Sequence, residues 1–439
     1  MLSPWLTLGV LAALLLGWSL VSQWAQARGV TGPMVFLVAG VLMSGLADFD
    51  LDPAQARTLA ELTLVVVLFH DASTVRLASL RRDPGIALRL LLVGFPLALL
   101  LAGASTYWLL PGIGLAGAVL LAAAITPTDA GLGAATILDP SVPVRLRRAL
   151  NVESGLNDGL ATPVVLAALA VLVGESEPTR ALPAILNIGA IPVLLGVGIG
   201  VGVGLVGAFL LDGSYTRALS ASSTRALAVL TLPVVALSLA ELTDGNGFIA
   251  AFVTGITFGR ASRCVEEEPS AQEGVEMLAD LLGFVMWLAA GGLVVGVFLD
   301  GFRWQWLVLA VAALTVIRGA AVSVSLLGSG LRLPTVAFLS WFGPRGLASI
   351  VFGLLALEEL GAGSEVVADV TGVVGLTVLL SVVLHGATAA PLARRYGAWA
   401  DRAKAPIETE PAPEPMPSRG RGFSGRFPLR GSADDQQAS

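Results

Sequence analysis

Long apolar stretches separated by short polar connections fill most of this 439-residue chain. Thirteen of the stretches approach the ~20 residues that an α-helix needs to cross a bilayer. They cover residues 5–24, 31–47, 56–72, 85–109, 113–137, 149–173, 182–211, 225–242, 245–260, 275–298, 304–328, 334–357 and 367–391. The pattern predicts an all-α polytopic membrane protein with about thirteen transmembrane helices.

The composition agrees with this prediction and argues against disulfides and His-rich metal sites. Hydrophobic residues make up 55% of the chain and charged residues 13%, which is about half the charged fraction of a soluble domain. A single cysteine excludes an internal disulfide, and two histidines disfavour a His-rich metal site. No cofactor is expected.

The basic residues predict the orientation of the chain. If the C-terminus lies in the cytoplasm, sixteen basic residues fall on cytoplasmic segments and only Arg57, Arg180 and Arg303 on the other face. The positive-inside rule therefore places the N-terminus outside. Residues 1–397 are predicted to form the transmembrane domain, and residues 398–439, which are poor in apolar residues, a disordered cytoplasmic tail.

The fifth apolar stretch is interrupted by the sequence ITPTDAGLGAAT, residues 125–136. Pro127 removes a backbone donor and disturbs the preceding turn, and Thr126, Thr128 and Asp129 surround it. Unwound backbone inside a membrane is tolerated where it is buried in protein or lines a cavity, and such breaks build cation sites in transporters. The alternative is a proline kink in which Asp129 caps the second half-helix, and capping and ion binding can coexist.

Polar residues also open the sixth stretch, in NVESGLNDG, residues 151–159. Glu153, Ser154, Asn157 and Asp158 share an arc of about 140° on a helical wheel. Two carboxylates, a hydroxyl and an amide on one face form a hard, oxygen-rich environment that suits Na⁺ or Li⁺. The alternative is helix-start chemistry, because acidic residues favour helix N-termini.

Two arginines lie in later apolar stretches. Arg318 is near the middle of the eleventh and needs an acidic partner, for which Glu153 is the leading candidate; the pair would be structural or would take part in ion binding. Arg345 lies in the sequence FGPRG, where Pro344 breaks the twelfth stretch. Breaks in stretches five and twelve predict two six-helix repeats with one extra span.

The motifs TPTDA, ESGLNDG and FGPRG, with Arg318 between the last two, resemble the monovalent cation:proton antiporters. The resemblance is to the NhaP-type bacterial sodium/proton antiporters, which are related to animal sodium/proton exchangers, and it covers about residues 1–397. It implies two inverted repeats with crossing broken helices, a six-helix core, a dimerisation domain and a homodimer in the bacterial inner membrane.

The resemblance also implies roles for individual residues. Asp158 would be the shared carrier of the ion and the proton, with Asp129, Ser154, Glu153 and a main-chain carbonyl near Thr128 as supporting ligands. It further implies that Asn157 positions or gates the site, that Arg318 pairs with the glutamate, and that Arg345 supports the second break.

These observations predict electroneutral exchange of Na⁺, or Li⁺, for H⁺ by alternating access, and no enzymatic activity. Exchange of K⁺ for H⁺ is a close alternative because ligand type does not separate the two ions. A cation channel is a more distant alternative. The sequence leaves open the pH set-point, the direction of transport and the roles of His70 and His385.

Overall fold

The computed structural model describes residues 4–26, 28–46, 53–75, 85–137, 139–174, 191–299, 301–361 and 363–403. All regular secondary structure in these ranges is helical. Labelled by the predicted stretch that each occupies, the helices of the first half are α1 Pro4–Gln26, α2 Gly32–Leu46, α3 Pro53–Thr74, α4 Gly85–Leu109, α5a Gly114–Ile125, α5b Ala134–Ile137 and α6 Val144–Leu172.

The second half repeats this organisation. Its principal helices are α7 Ile191–Thr216, α8 Ser222–Glu241, α9 Gly247–Ala261, α10 Glu273–Leu299, α11 Trp304–Ser325, α12a Leu333–Trp341, α12b Leu347–Leu360 and α13 Glu365–Ala403. A short helix, Arg263–Glu267, connects α9 to the region before α10.

Helices therefore occupy all thirteen predicted stretches within the described ranges. Eight of the described helices are long and apolar enough to cross a membrane, and three others are shorter and apolar. The all-α membrane architecture is confirmed, whereas a count of thirteen crossings stays a prediction. Residues 182–190 of the seventh stretch lie outside the described residues.

The last described helix runs past the predicted start of the C-terminal tail. Helix α13 continues to Ala403, so residues 398–403 are helical, and the extent of the transmembrane domain stays a prediction. This end of the helix is amphipathic, because Tyr396 and Ala400 are buried while Arg402 is exposed. Residues 404–439, the rest of the predicted tail, lie outside the described residues.

Both predicted helix interruptions are present. The first separates α5a from α5b, where Pro127 and Asp129 lie in non-helical backbone, and the second separates α12a from α12b around Pro344. The two breaks touch, because the Asp129 amide donates a hydrogen bond of 2.8 Å to the Pro344 carbonyl. One main-chain donor of the first break and one main-chain acceptor of the second are therefore satisfied by each other.

The preceding helix of each half contains a π-helical turn that the apolar pattern did not predict. The turns are Leu90–Gly94 in α4 and Ala313–Ile317 in α11. A π-helical turn inserts one residue into an α-helix and often occurs at functional sites. The second turn ends directly before Arg318, which brings this irregularity next to the polar centre of the molecule.

Close helix contacts hold α6 beside α3 and α9. Gly159 lies against the ring of Phe252 in α9, and a Cβ at this glycine would be 2.5 Å from the ring. Gly155 faces Val75 and the Asp71 carbonyl at the end of α3. The two glycines, four residues apart, give α6 one face without side chains, and the polar residues lie between and beside them.

Candidate functional site

Helix α6 buries the polar strip that the sequence singles out. Glu153, Ser154, Asn157 and Asp158 each expose 5% or less of their surface. The helix begins at Val144, nine residues before Glu153, so the proposed helix-start explanation fails: the N-terminal dipole acts mainly within the first turn. Two buried carboxylates on a membrane helix need another reason.

A network of three oxygen-bearing side chains connects α6 to the first break. The Thr128 hydroxyl lies 2.8 Å from the Ser154 hydroxyl, and the Asn157 side-chain nitrogen donates a 2.8 Å hydrogen bond to the Thr128 oxygen. Within the described part of the chain, Oδ1 of Asn157 is buried and accepts no hydrogen bond. Such a buried acceptor is costly unless it has a partner, and a cation beside Asp158 would supply one.

Glu153 and Arg318 form the predicted ion pair. Nη2 of Arg318 lies 2.9 Å from Oε2 of the glutamate, and Nη1 bonds Oε1, so the contact is bidentate. Arg318 also donates to the Leu339 carbonyl at 3.3 Å. The Glu153 side chain exposes only 2% of its surface and the Arg318 side chain 7%. The pair therefore neutralises the buried arginine and joins α6 to α11 beside the site.

Asp129 joins the two broken helices. Its Oδ2 accepts a 2.7 Å hydrogen bond from the Leu347 amide at the start of α12b, and its Oδ1 accepts one of 2.8 Å from the Leu132 amide. The first contact places a carboxylate at the positive N-terminal end of a helix. Both carboxylate oxygens thus bond main-chain amides. The alternative offered by the sequence was a cap on the second half-helix of the same stretch, α5b, whereas the helix whose first amide Asp129 accepts is α12b.

Arg345 makes the reciprocal contact. It is among the largest fully buried side chains, and its Nε donates a 2.7 Å hydrogen bond to the Ile125 carbonyl at the end of α5a. Its guanidinium also donates to the carbonyls of Gly343 and, at 3.3 Å, Ala313. A cation from the second break therefore satisfies the negative C-terminal end of the first half-helix.

Sequence reasoning missed Ser381, which supports the second break from α13. Its hydroxyl accepts a 2.7 Å hydrogen bond from the Arg345 amide. His385 lies one turn further along α13, and the centroid of its ring is 5.3 Å from the centroid of the Trp341 ring. Its Nε2 lies 2.9 Å from the Trp341 carbonyl oxygen at the end of α12a. A serine inside an apolar helix carries no signal of its own, because such residues commonly bond within their own helix.

Comparisons with known proteins agree with this architecture. The family model described as "Sodium/hydrogen exchanger, transmembrane" matches residues 6–395. The K(+)/H(+) antiporter NhaP2 of Shewanella oneidensis is 25% identical over 420 residues, covering 91% of this chain and 67% of that protein. The low-affinity Na(+)/H(+) antiporter NhaS1 of Synechocystis is 23% identical over 376 residues, covering 80% and 68%.

A solved structure extends the likeness to the fold. The sodium proton antiporter MjNhaP1 of Methanocaldococcus jannaschii superposes with a TM-score of 0.68. The match covers 89% of this chain and 99% of that one, at 19% sequence identity. The overall fold is thus shared with a solved antiporter.

Proposed function

The chain belongs to the sodium/hydrogen exchanger family, and we propose that it exchanges Na⁺, or Li⁺, for protons with Asp158 as the shared carrier. It is a membrane-integral cation/proton antiporter of the NhaP type rather than an enzyme. The observation that carries the assignment is that Asp158, a buried carboxylate, directly follows Asn157 in the sequence, and that the buried amide oxygen of Asn157 has no hydrogen bond in the described part of the chain.

Competition for one carboxylate couples the two ions. Asp158 holds either a proton or a cation, because the proton and the cation neutralise the same charge. Oxygen atoms of Asn157, Ser154 and Thr128 lie within one hydrogen-bonded network, and we assign them as the neutral ligands of the cation. Oxygen ligands of this type suit hard monovalent ions. Binding of the cation thereby releases the proton.

The remaining charged residues hold this site in place. Asp129 is assigned to the crossing of the broken helices rather than to the inner ligand set, since its oxygens bond two amides. The geometry favours Glu153 as the counter-ion of Arg318 and only as an indirect contact of the cation. Arg345 and Pro127 maintain the two interruptions.

Alternating access would carry the loaded site across the membrane. In this proposal a core that contains α5a, α6, α11 and α12b moves against a dimerisation domain, and the active form is a homodimer in the bacterial inner membrane. One carrier carboxylate favours one-for-one, electroneutral exchange. The N-terminus lies outside and the C-terminus in the cytoplasm, as the positive-inside rule predicts.

Exchange of K⁺ for H⁺ is the second candidate. Relatives with similar identity to this chain carry names that specify K⁺ in one case and Na⁺ in another. The ligand types assigned here suit both ions. Adding each ion in turn to reconstituted protein distinguishes the two candidates.

A proteoliposome assay tests the exchange directly. Purified protein is reconstituted with an internal pH-sensitive dye, a pH gradient is imposed, and Na⁺, Li⁺ or K⁺ is added in turn. We expect Na⁺ and Li⁺ to dissipate the gradient and Asp158→Asn to abolish the response. Asp244→Asn is the matched control, because Asp244 is exposed and its left-handed backbone (φ 54°) suits asparagine. A Na⁺ or Li⁺ response of normal rate in Asp158→Asn would refute the carrier assignment.

A further inference from the structure

A large cleft opens between α2 and α10 on one side and α13 on the other, with the end of α1 at its edge. Its volume is about 1090 Å³, above the ~300–1,000 Å³ of pockets that hold drug-sized ligands. Asp129 and Leu347, at the crossing of the broken helices, border its inner end. Asn157 and Asp158 do not line the cleft.

Apolar side chains form most of the walls. Leu42, Phe298 and Val383 line the cleft and expose 56%, 60% and 54% of their surface, respectively. Trp287 and Met34 contribute further apolar surface. Apolar walls offer a hydrated ion no ligands to replace its water, whereas a hydrocarbon chain has no hydrogen bonds to lose when it packs against them. The lining thus favours an apolar ligand over an aqueous ion path.

Basic residues border the same cleft. Arg28 follows α1 and lies 4.1 Å above the Trp24 ring, and Arg394 is exposed on α13. Met34, near the start of α2, meets Gly386 of α13, and Arg394 lies about 12 Å further along that helix. The positive-inside rule predicts both arginines on the cytoplasmic side. Asp280 also lines the cleft, so this region carries charges of both signs.

We propose that this cleft binds one phospholipid from the cytoplasmic leaflet. Arg28 and Arg394 hold the phosphodiester, because guanidinium groups bind phosphate oxygens well. The acyl chains lie along α2, α10 and α13 towards the crossing of the broken helices. The binding proposal stands apart from the proposed transport function.

Native mass spectrometry of the detergent-purified protein tests the proposal. The probe is palmitoyl-oleoyl phosphatidylglycerol, and dioleoylglycerol, which has acyl chains but no phosphate, is the ligand control. We expect one phospholipid per protomer, and about tenfold weaker binding after Arg28→Gln with Arg394→Gln. Arg395→Gln is the matched protein control, because Arg395 is also exposed, is adjacent in sequence and does not line the cleft.

A second variant separates the cleft from surface charge. Ala387 is exposed and lines the cleft, so Ala387→Trp should obstruct part of it and weaken phospholipid binding. Ala104→Trp, on the exposed face of α4 away from the cleft, should leave binding unchanged. Equal phospholipid binding by all variants would overturn the proposal. The proposal would also be overturned if Ala387→Trp dissociated a dimer without changing phospholipid binding, because a second copy of the chain would then occupy the cleft.

Discussion

Removing one partner of the Glu153–Arg318 pair should destabilise the protein strongly. Both side chains are buried and the contact is bidentate. Glu153→Gln would leave the guanidinium buried without its counter-charge, which typically costs about 3–5 kcal/mol. The Arg303–Asp369 pair offers an internal control: Asp369→Asn leaves behind Arg303, which exposes 47% of its side chain and stays hydrated, so this change should cost only about 0–1 kcal/mol.

The double variant Glu153→Gln with Arg318→Gln tests whether the two charges act as a pair. It removes both charges and leaves two amides of similar size, so its cost should be well below the sum of the single variants. The free energy of unfolding is measured by adding SDS to the protein in maltoside micelles. Additive costs, or a Glu153→Gln cost no larger than that of Asp369→Asn, would refute the argument.

Two further predictions concern the crossing and a peripheral ion pair. Gly346→Ala should destabilise the protein, because the added Cβ would overlap the Asp129 carboxylate, which caps α12b. Gly319→Ala is the control and should not destabilise it, because no atom lies within 4 Å of a Cβ at that position. The free energy of unfolding in SDS distinguishes the two variants. Hydrogen bonds from Ser222 and Arg225 lower the pKa of Glu268 from 4.5. Its contribution to stability is therefore present above about pH 4.5 and lost as the pH falls through the lowered pKa. Glu268→Gln should thus be less stable than the native protein at neutral pH but not at acid pH; a pH-independent difference would contradict this assignment.

Some of the site could be predicted because burial in a membrane restricts the choices. A charged residue in the middle of an apolar stretch needs an opposite charge, and this requirement led from Arg318 to Glu153, which the structure pairs. The interruptions were predictable for a similar reason, since proline cannot donate the helical hydrogen bond. The helical state of residues 398–403 was not predicted, because alanine, tryptophan and arginine suit an amphipathic helix as well as a polar tail.

Other features depend on contacts between distant segments. The sequence shows that Asp129 can accept hydrogen bonds, but its partner, the Leu347 amide, lies 218 residues away. The partners of Arg345 are main-chain carbonyls, which every residue has, so nothing in the sequence distinguishes Ile125. The π-helical turn before Arg318 also has no residue signature. These features follow from how the two halves pack together.

The most direct test of the central claim is the apparent KM for Na⁺ measured across a range of pH in proteoliposomes. If the proton and the cation compete for Asp158, the apparent KM should rise by up to about tenfold for each unit that the pH falls below the pKa of the site. Asp158→Asn should show no exchange at any pH. A KM for Na⁺ that does not change with pH, with transport still active, would contradict a shared carboxylate carrier.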